Sequence, residues 1–107
     1  MTTLYKIFVT GPESHTDIII NAMAKSGAGK VGAYTHCAFI SRGTGNYLPN
    51  AGANPYIGKV GVMSKEPEDK IEMICPKEKL QKIIRAIKSV HPYETPIIDV
   101  IEIQFFN

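Results

Sequence analysis

The sequence has few cysteines, no long apolar run and little net charge. Cys37 and Cys75 are the only cysteines in 107 residues. Two are too few for a disulfide framework, and a chain of this length buries a core without staples. One bridge between them stays open, but two reduced thiols in a cytoplasmic protein is the simpler reading. The longest apolar runs are a few residues, far short of the ~20 that span a bilayer. The start, Met1 to Ile7, has no basic segment followed by an apolar stretch, so no signal peptide is expected. Net charge is +2, from 12 basic and 10 acidic residues. That is too balanced to draw nucleic acid by electrostatics alone. What remains is ordinary soluble composition, 44% hydrophobic and 21% charged, expected to form one domain over residues 1–107.

Periodicity supplies the elements. Thr3 to Thr10 alternates as a strand, ended by Gly11-Pro12. Ser14 is a candidate N-cap with Asp17 completing a box-like start. Ile18, Ile19, Ala22 and Met23 follow at helical spacing, and Ser26-Gly27 and Gly29 stop the helix near Lys25. Tyr34 to Ser41 reads as a second strand. From Arg42 to Gly61 turn residues dominate, predicting a long loop with a short strand through Lys59 to Met63 closing it. Asp69 to Cys75 alternates again. Pro76 suits a first helical turn, and Leu80, Ile83, Ile84, Ile87 and Val90 form the cleanest amphipathic face, ended before Pro92. Ile97 to Phe106 is a final strand.

The order strand, helix, strand, strand, helix, strand predicts an α+β, ferredoxin-like split βαβ sandwich. Its sheet is antiparallel, with both helices on one face. Two helices cover one side only. Phe8, Ile74, Ile98 and Val100 are expected at least partly on the other side, and such a surface invites a partner subunit. A homo-oligomer is the expected state.

Four segments carry a resemblance. They are Gly27 through Phe39 (a glycine turn, then Gly32-x-Tyr34-x-x-Cys37-x-Phe39), Gly43-Thr44-Gly45-Asn46-Tyr47-Leu48-Pro49, Gly52-Ala53-Asn54-Pro55-Tyr56-Ile57-Gly58, and His91-Pro92-Tyr93-Glu94. Together with Glu68 and Glu72 entering the third strand, they resemble the domain inserted in NIF3-family proteins, in order and from Lys6 to the end. The chain departs at Thr95, Pro96 and Ile97, where the family has a second acidic residue and then alanine after the proline. The resemblance implies a CutA- and PII-like shape, and a trimer by analogy, with a dimer the alternative. It also implies that the family's metal ligands lie in flanking host sequence absent from these residues. A hydrolase or cyclohydrolase label is therefore expected not to transfer, and a separate host-like protein is a candidate partner.

The strongest local chemistry is the His91 to Glu94 turn, which Pro92 holds outside the helix. His91 could ligate a metal or shuttle a proton near neutral pH, and Glu94 could be a ligand or base. The competing structural reading has His91 capping the second helix, Tyr93 packing and Glu94 accepting backbone hydrogen bonds. His36 and Cys37 are adjacent on an expected strand and point to opposite faces, so they do not grip one ion together. Cys37 reads better as a small hydrophobe. The glycine stretches match neither a P-loop nor a dinucleotide fingerprint. They could still form anion-binding nests, with Arg42 beside Gly43. Glu68 and Glu72 share a strand face, more in keeping with a solvated or charge-paired surface than with an acid–base pair. Tyr47, Pro49, Asn54, Pro55 and Tyr56 suit loop stiffening and interface packing.

The expected ligand-binding residues are therefore His36, Arg42, His91, Tyr93 and Glu94. A divalent metal is the one candidate cofactor, with His36, His91 and Glu94 as its ligands. No complete catalytic set is evident. The leading expectation is a non-enzymatic, oligomeric binding or regulatory module for a small ligand, metal ion or protein. The alternatives are a metal-assisted hydrolase and a purely structural interaction domain.

Overall fold

The computed structural model describes residues 2–106. Six main elements follow in the expected order: β1 (Thr2–Pro12), α1 (Thr16–Lys25), β2 (Phe39–Tyr47), β3 (Ser64–Cys75), α2 (Leu80–Val90) and β4 (Ile98–Phe105). The four strands form one sheet in the order β2-β3-β1-β4, every pair antiparallel. The split βαβ expectation holds. Among the described residues, no helix is long and apolar enough to cross a membrane.

One face of the sheet is dry. Ile7 and Val9 on β1 and Ile71, Met73 and Cys75 on β3 are at most 1% exposed, as are Ile19 and Met23 of α1 and Ile83 and Ile87 of α2. These side chains form a single cluster. The face of α1 is rotated from the expected one: Ile19 and Met23 point inward with Ile20 and Ala24 beside them, while Ile18 is half exposed. Val100 sits opposite Ile7, and Ile98 opposite Val9. Residues directly opposite share a face, so Ile98 and Val100 join the core and the expectation for them is corrected. Phe8 and Ile74 do lie on the uncovered face.

The entry to α1 also differs. Ser14 does not cap the helix; its hydroxyl meets the Nδ1 of His15 at 2.8 Å, within a single 3-10 turn over Glu13–His15. The helix is anchored by tertiary contact instead. Thr16 donates its hydroxyl to Asp69 Oδ2 at 2.7 Å, and Arg42 Nε donates to Oδ1 at 2.7 Å.

The larger correction concerns β2. The expected strand over Tyr34 to Ser41 is irregular through its first half, where His36 has φ 61°, and the turn before it holds Gly29 and Gly32 in the left-handed region. Pairing with β3 carries the strand through Gly43, Gly45 and Tyr47, a stretch that composition alone assigns to loop. β3 correspondingly begins at Ser64. Its first four residues lie beyond the last pair with β1, Pro12 opposite Glu68, and are bonded to β2 alone. Pro67 is tolerated there because the ribbon has one free side. The expected strand at Lys59 to Met63 is a turn, with Gly61 N–H bonded to the Pro49 carbonyl at 2.8 Å.

Candidate functional site

The long connection from Leu48 to Met63 and the turn from His91 to Ile97 meet at the distal end of the β2–β3 ribbon. The register explains why. Gly43 lies opposite Glu68, Gly45 opposite Glu66 and Tyr47 opposite Ser64, so these side-chain positions share the face away from the helices. Gly45 leaves room for Glu68: a Cβ there would displace the Glu68 carboxylate from its present position. The bare glycine lets Glu68 lie across the ribbon toward Tyr93.

Tyr93 donates its hydroxyl to Glu68 Oε2 at 2.8 Å. Burial, and next the carboxylate it bonds, push the phenol far above its ordinary value, so it remains a protonated donor. Tyr47 donates to the Ile57 carbonyl at 2.7 Å. The Tyr93 ring stands between Tyr47 (centroids 6.1 Å apart) and Tyr56 (6.3 Å), tilted by 59° and 50°. Glu94 Oε1 accepts the Asn54 backbone N–H at 2.8 Å, tying the turn to the loop across 40 residues. Between them lies an open cleft of about 270 Å³, lined by the three tyrosines, Glu68, Glu94 and apolar residues including Leu48, Pro49, Pro55 and Ile97.

His91 sits behind this cleft, only 8% exposed. Its Nε2–H donates to the Thr10 carbonyl at 2.7 Å, and its Nδ1 accepts the Tyr93 N–H at 3.1 Å. That pair of bonds needs the neutral ring with its proton on Nε2. Burial, as the largest influence, lowers its pKa from 6.5 despite the bond to Thr10. His91 is the residue that ends α2, as expected, but its ring serves β1 and not the helix carbonyls. Gly11 makes room for it, since a Cβ there would stand 2.9 Å from Nε2.

The five expected ligand residues therefore separate. Tyr93 and Glu94 line the cleft, and His91 braces it from behind. Arg42 is elsewhere, held by Asp69 at 2.7 Å and Glu13 at 2.6 Å, with its charge already matched. Asp69 is buried, and its bonds from Thr16 and then Arg42 hold its carboxyl below the ordinary range. His36 is exposed, its Nδ1 2.9 Å from the Thr35 hydroxyl. It neighbours Cys37, whose N–H bonds Gly29, which in turn bonds Ile74. Ile74 is four residues along β3 from Lys70, which lies opposite Thr10, a rise of about 13 Å, so the His36 segment and the His91 ring attach at different levels of the sheet.

This donor set does not fit a metal ion. Among the described residues, no three His, Cys, Asp or Glu side chains cluster closely enough to hold one. His91 has no free lone pair while its Tyr93 bond is made. The two cysteines are free, Cys75 buried and Cys37 half-buried. Glu72 pairs with Lys6 at 3.9 Å, whereas Glu68 is bonded by the neutral Tyr93 hydroxyl. Glu68, Tyr47 and Tyr56 also line the cleft, though their sequence pattern suggested other roles; the run Gly45-Asn46-Tyr47 was the available signal.

The uncovered face of the sheet carries a second feature. Phe39, Glu72, Phe8 and Asp99 lie in one row, and Ile74, Lys6 and Ile101 in the next. Phe39 is 67% exposed and Ile101 49%. Lys70 lies 4.8 Å over the Phe8 ring.

No family model matches the chain. Among curated proteins, the GTP cyclohydrolase 1 type 2 homolog of Halalkalibacterium halodurans is 42% identical over 97 residues, covering 91% of this chain and 26% of that protein. The homolog of the same name from Bacillus subtilis is 36% identical over 101 residues, covering 94% and 27%. The chain thus spans about a quarter of the length of the curated relatives it matches. Among solved structures, a Bacillus cereus protein related to NIF3 superposes with a TM-score of 0.82 at 33% identity, over 96% of this chain and 26% of that one. The divalent ion tolerance protein CutA1 of Ehrlichia chaffeensis gives 0.69 at 22% identity, over 100% and 87%. At that identity the likeness to CutA1 is one of fold alone. On the sequence relatives and the fold together, the chain belongs to the NIF3 family as a domain of CutA-like architecture.

Proposed function

We propose that this domain is a non-enzymatic binding module that assembles with copies of itself and receives a small ligand in the tyrosine–glutamate cleft. The observation that carries the reading is the cleft itself. Its two walls come from separate parts of the chain and are tied together by specific bonds, Tyr93 to Glu68 and Glu94 to Asn54. An apolar cavity with a few fixed polar groups is the usual form of a small-molecule site. Tyr47, Tyr93, Glu68 and Glu94 each spend one polar atom in holding the shape of the cleft. The cyclohydrolase name of the relatives describes proteins roughly four times as long, and no part of it is assigned to these residues.

Self-association is supported by the uncovered face, where Phe39 and Ile101 stand open to water on a monomer. A trimer is the form proposed, by analogy with CutA-like proteins. A cytoplasmic setting is part of the same reading, motivated by two unpaired thiols.

A fragment titration followed by backbone NMR tests the module. Shifts concentrated at residues 45–57 and 93–97 are expected. A map centred on His36 or on the Arg42 network would overturn the assignment. Light scattering on the same sample reads the mass; a monomer at high micromolar concentration would remove the self-association part.

A further inference from the structure

Building on that reading, we infer that the cleft takes a small organic cation, an ammonium group on a compact apolar body.

The charge inventory points there first. Glu68 and Glu94 both line the cleft, and no lysine, arginine or histidine does. Each carboxylate has one oxygen engaged by a neutral donor, the Tyr93 hydroxyl for Glu68 and the Asn54 N–H for Glu94. The ion pairs among the described residues are Lys6 with Glu72 and Arg42 with Glu13 and Asp69; neither cleft carboxylate takes part. Two carboxylates thus share one small space with no cationic side chain lining it, the imidazoles of His91 and His15 standing against the rings of Tyr93 (5.1 Å) and Tyr56 (5.8 Å) outside the lining. That arrangement disfavours an anionic ligand, and a bound cation relieves it.

The aromatic geometry is the second observation, and it is independent of the first. The hydroxyls of Tyr47 and Tyr93 are used internally, toward the Ile57 carbonyl and Glu68. With those hydroxyls spent, the two tyrosines contribute mainly aromatic carbon to the cleft lining. The rings of Tyr47 and Tyr56 are inclined to that of Tyr93 by 59° and 50°, which makes an open aromatic corner in place of a closed stack. Aromatic faces carry negative potential and attract alkylammonium groups within about 6 Å. A cavity of about 270 Å³ suits a small amine.

The test is an NMR titration of the intact chain with three probes of similar bulk and different charge: tetramethylammonium, tert-butanol and pivalate. Tetramethylammonium is expected to move the amide signals of Asn54, Tyr93 and Glu94, and to bind about tenfold more tightly than tert-butanol. Pivalate is expected to leave them in place. Glu94→Gln and Tyr56→Leu, both at exposed positions, should each weaken tetramethylammonium severalfold while the rest of the spectrum stays folded. Equal affinity for tert-butanol and tetramethylammonium, or preference for pivalate, would overturn the cation while leaving the cleft as a binding site. If no probe moves these signals, the cleft reading falls with it.

Discussion

The Tyr93 hydroxyl reaches Glu68 Oε2 across 25 residues of sequence at 2.8 Å, closing the cleft on one side as Glu94 and Asn54 close it on the other. A hydrogen bond to a charged acceptor is worth about 1.5–3 kcal/mol when partly buried. In a double-mutant cycle, Tyr93→Phe and Glu68→Ala should therefore each destabilise the chain, and together cost about 1–2 kcal/mol less than their sum. Urea unfolding of the four proteins measures it. Strict additivity would show that the bond contributes no coupling.

His91 should make stability sensitive to mild acid. Its pKa is lowered from 6.5 in the folded state, so below about that pH the unfolded chain binds a proton that the native chain resists. Stability should be full above pH 7 and decline as pH falls through the unfolded value, levelling once the native pKa is passed. Protonation breaks the bond from the Tyr93 N–H to Nδ1 first, because that nitrogen becomes a donor. Thermal unfolding between pH 7 and pH 5 checks the slope, which His91→Gln should flatten. An equal slope in the variant would place the titration on another group.

Asp69 ties α1 and β2 to the third strand. It is buried, and it accepts from Thr16 and Arg42 at 2.7 Å each. Asp69→Asn should cost about 1–3 kcal/mol, because the amide supplies one acceptor oxygen where two were in use. The lowered carboxyl pKa has the opposite pH consequence from His91. Its contribution is present above the ordinary value of 3.8 and is lost as pH falls toward the native value. Comparing wild type and Asp69→Asn at neutral pH and near pH 3 should find the gap narrower in acid.

The uncovered sheet face can be tested without touching the core. Phe39 is 67% and Ile101 49% exposed, so Phe39→Asp with Ile101→Lys should leave the dry face intact and dissociate the proposed oligomer. Light scattering reads the mass, and circular dichroism confirms the fold. A folded variant of unchanged mass would locate the contact elsewhere.

Much of this architecture was legible in the sequence, for identifiable reasons. The helical spacing of Ile83 and Ile87 and the alternation of Ile71, Met73 and Cys75 were each strong local patterns, and each side chain is buried as the pattern requires. The β2 boundaries were not legible. Gly43 and Gly45 have poor strand propensity, and their place in the sheet is set by pairing with β3 and, at Gly45, by the Glu68 carboxylate lying over it. Tertiary context overrode propensity there. Ile97 and Ile98 are both apolar, so alternation could not say which faces inward; the register opposite Val9 could. At the site, the His91-Pro92-Tyr93-Glu94 run marked the right turn, but its roles depended on partners far away in sequence. No spacing rule connects Tyr93 with Glu68 or Glu94 with Asn54. Arg42 and His36 were plausible by residue type, and the fold directs one to Asp69 and leaves the other near Gly29.

The overhang of the β2–β3 ribbon divides the molecule unequally. The chain measures 48 Å along its longest axis and 24 Å and 21 Å across, with a radius of gyration of 14.8 Å, above the ~13 Å expected of a compact chain near this length. The packed interior lies under β1, where Ile7 and Val9 meet the two helices, and the cleft begins at the end of that strand, beside Thr10, and runs out along the ribbon. Amides of Ile7 and Ile71 should exchange with solvent only when the whole fold opens. Those of Tyr47 and Asn54 should exchange through a local opening of much lower free energy. The receiving part of the molecule can therefore yield to a guest and recover while the sandwich behind it keeps its shape.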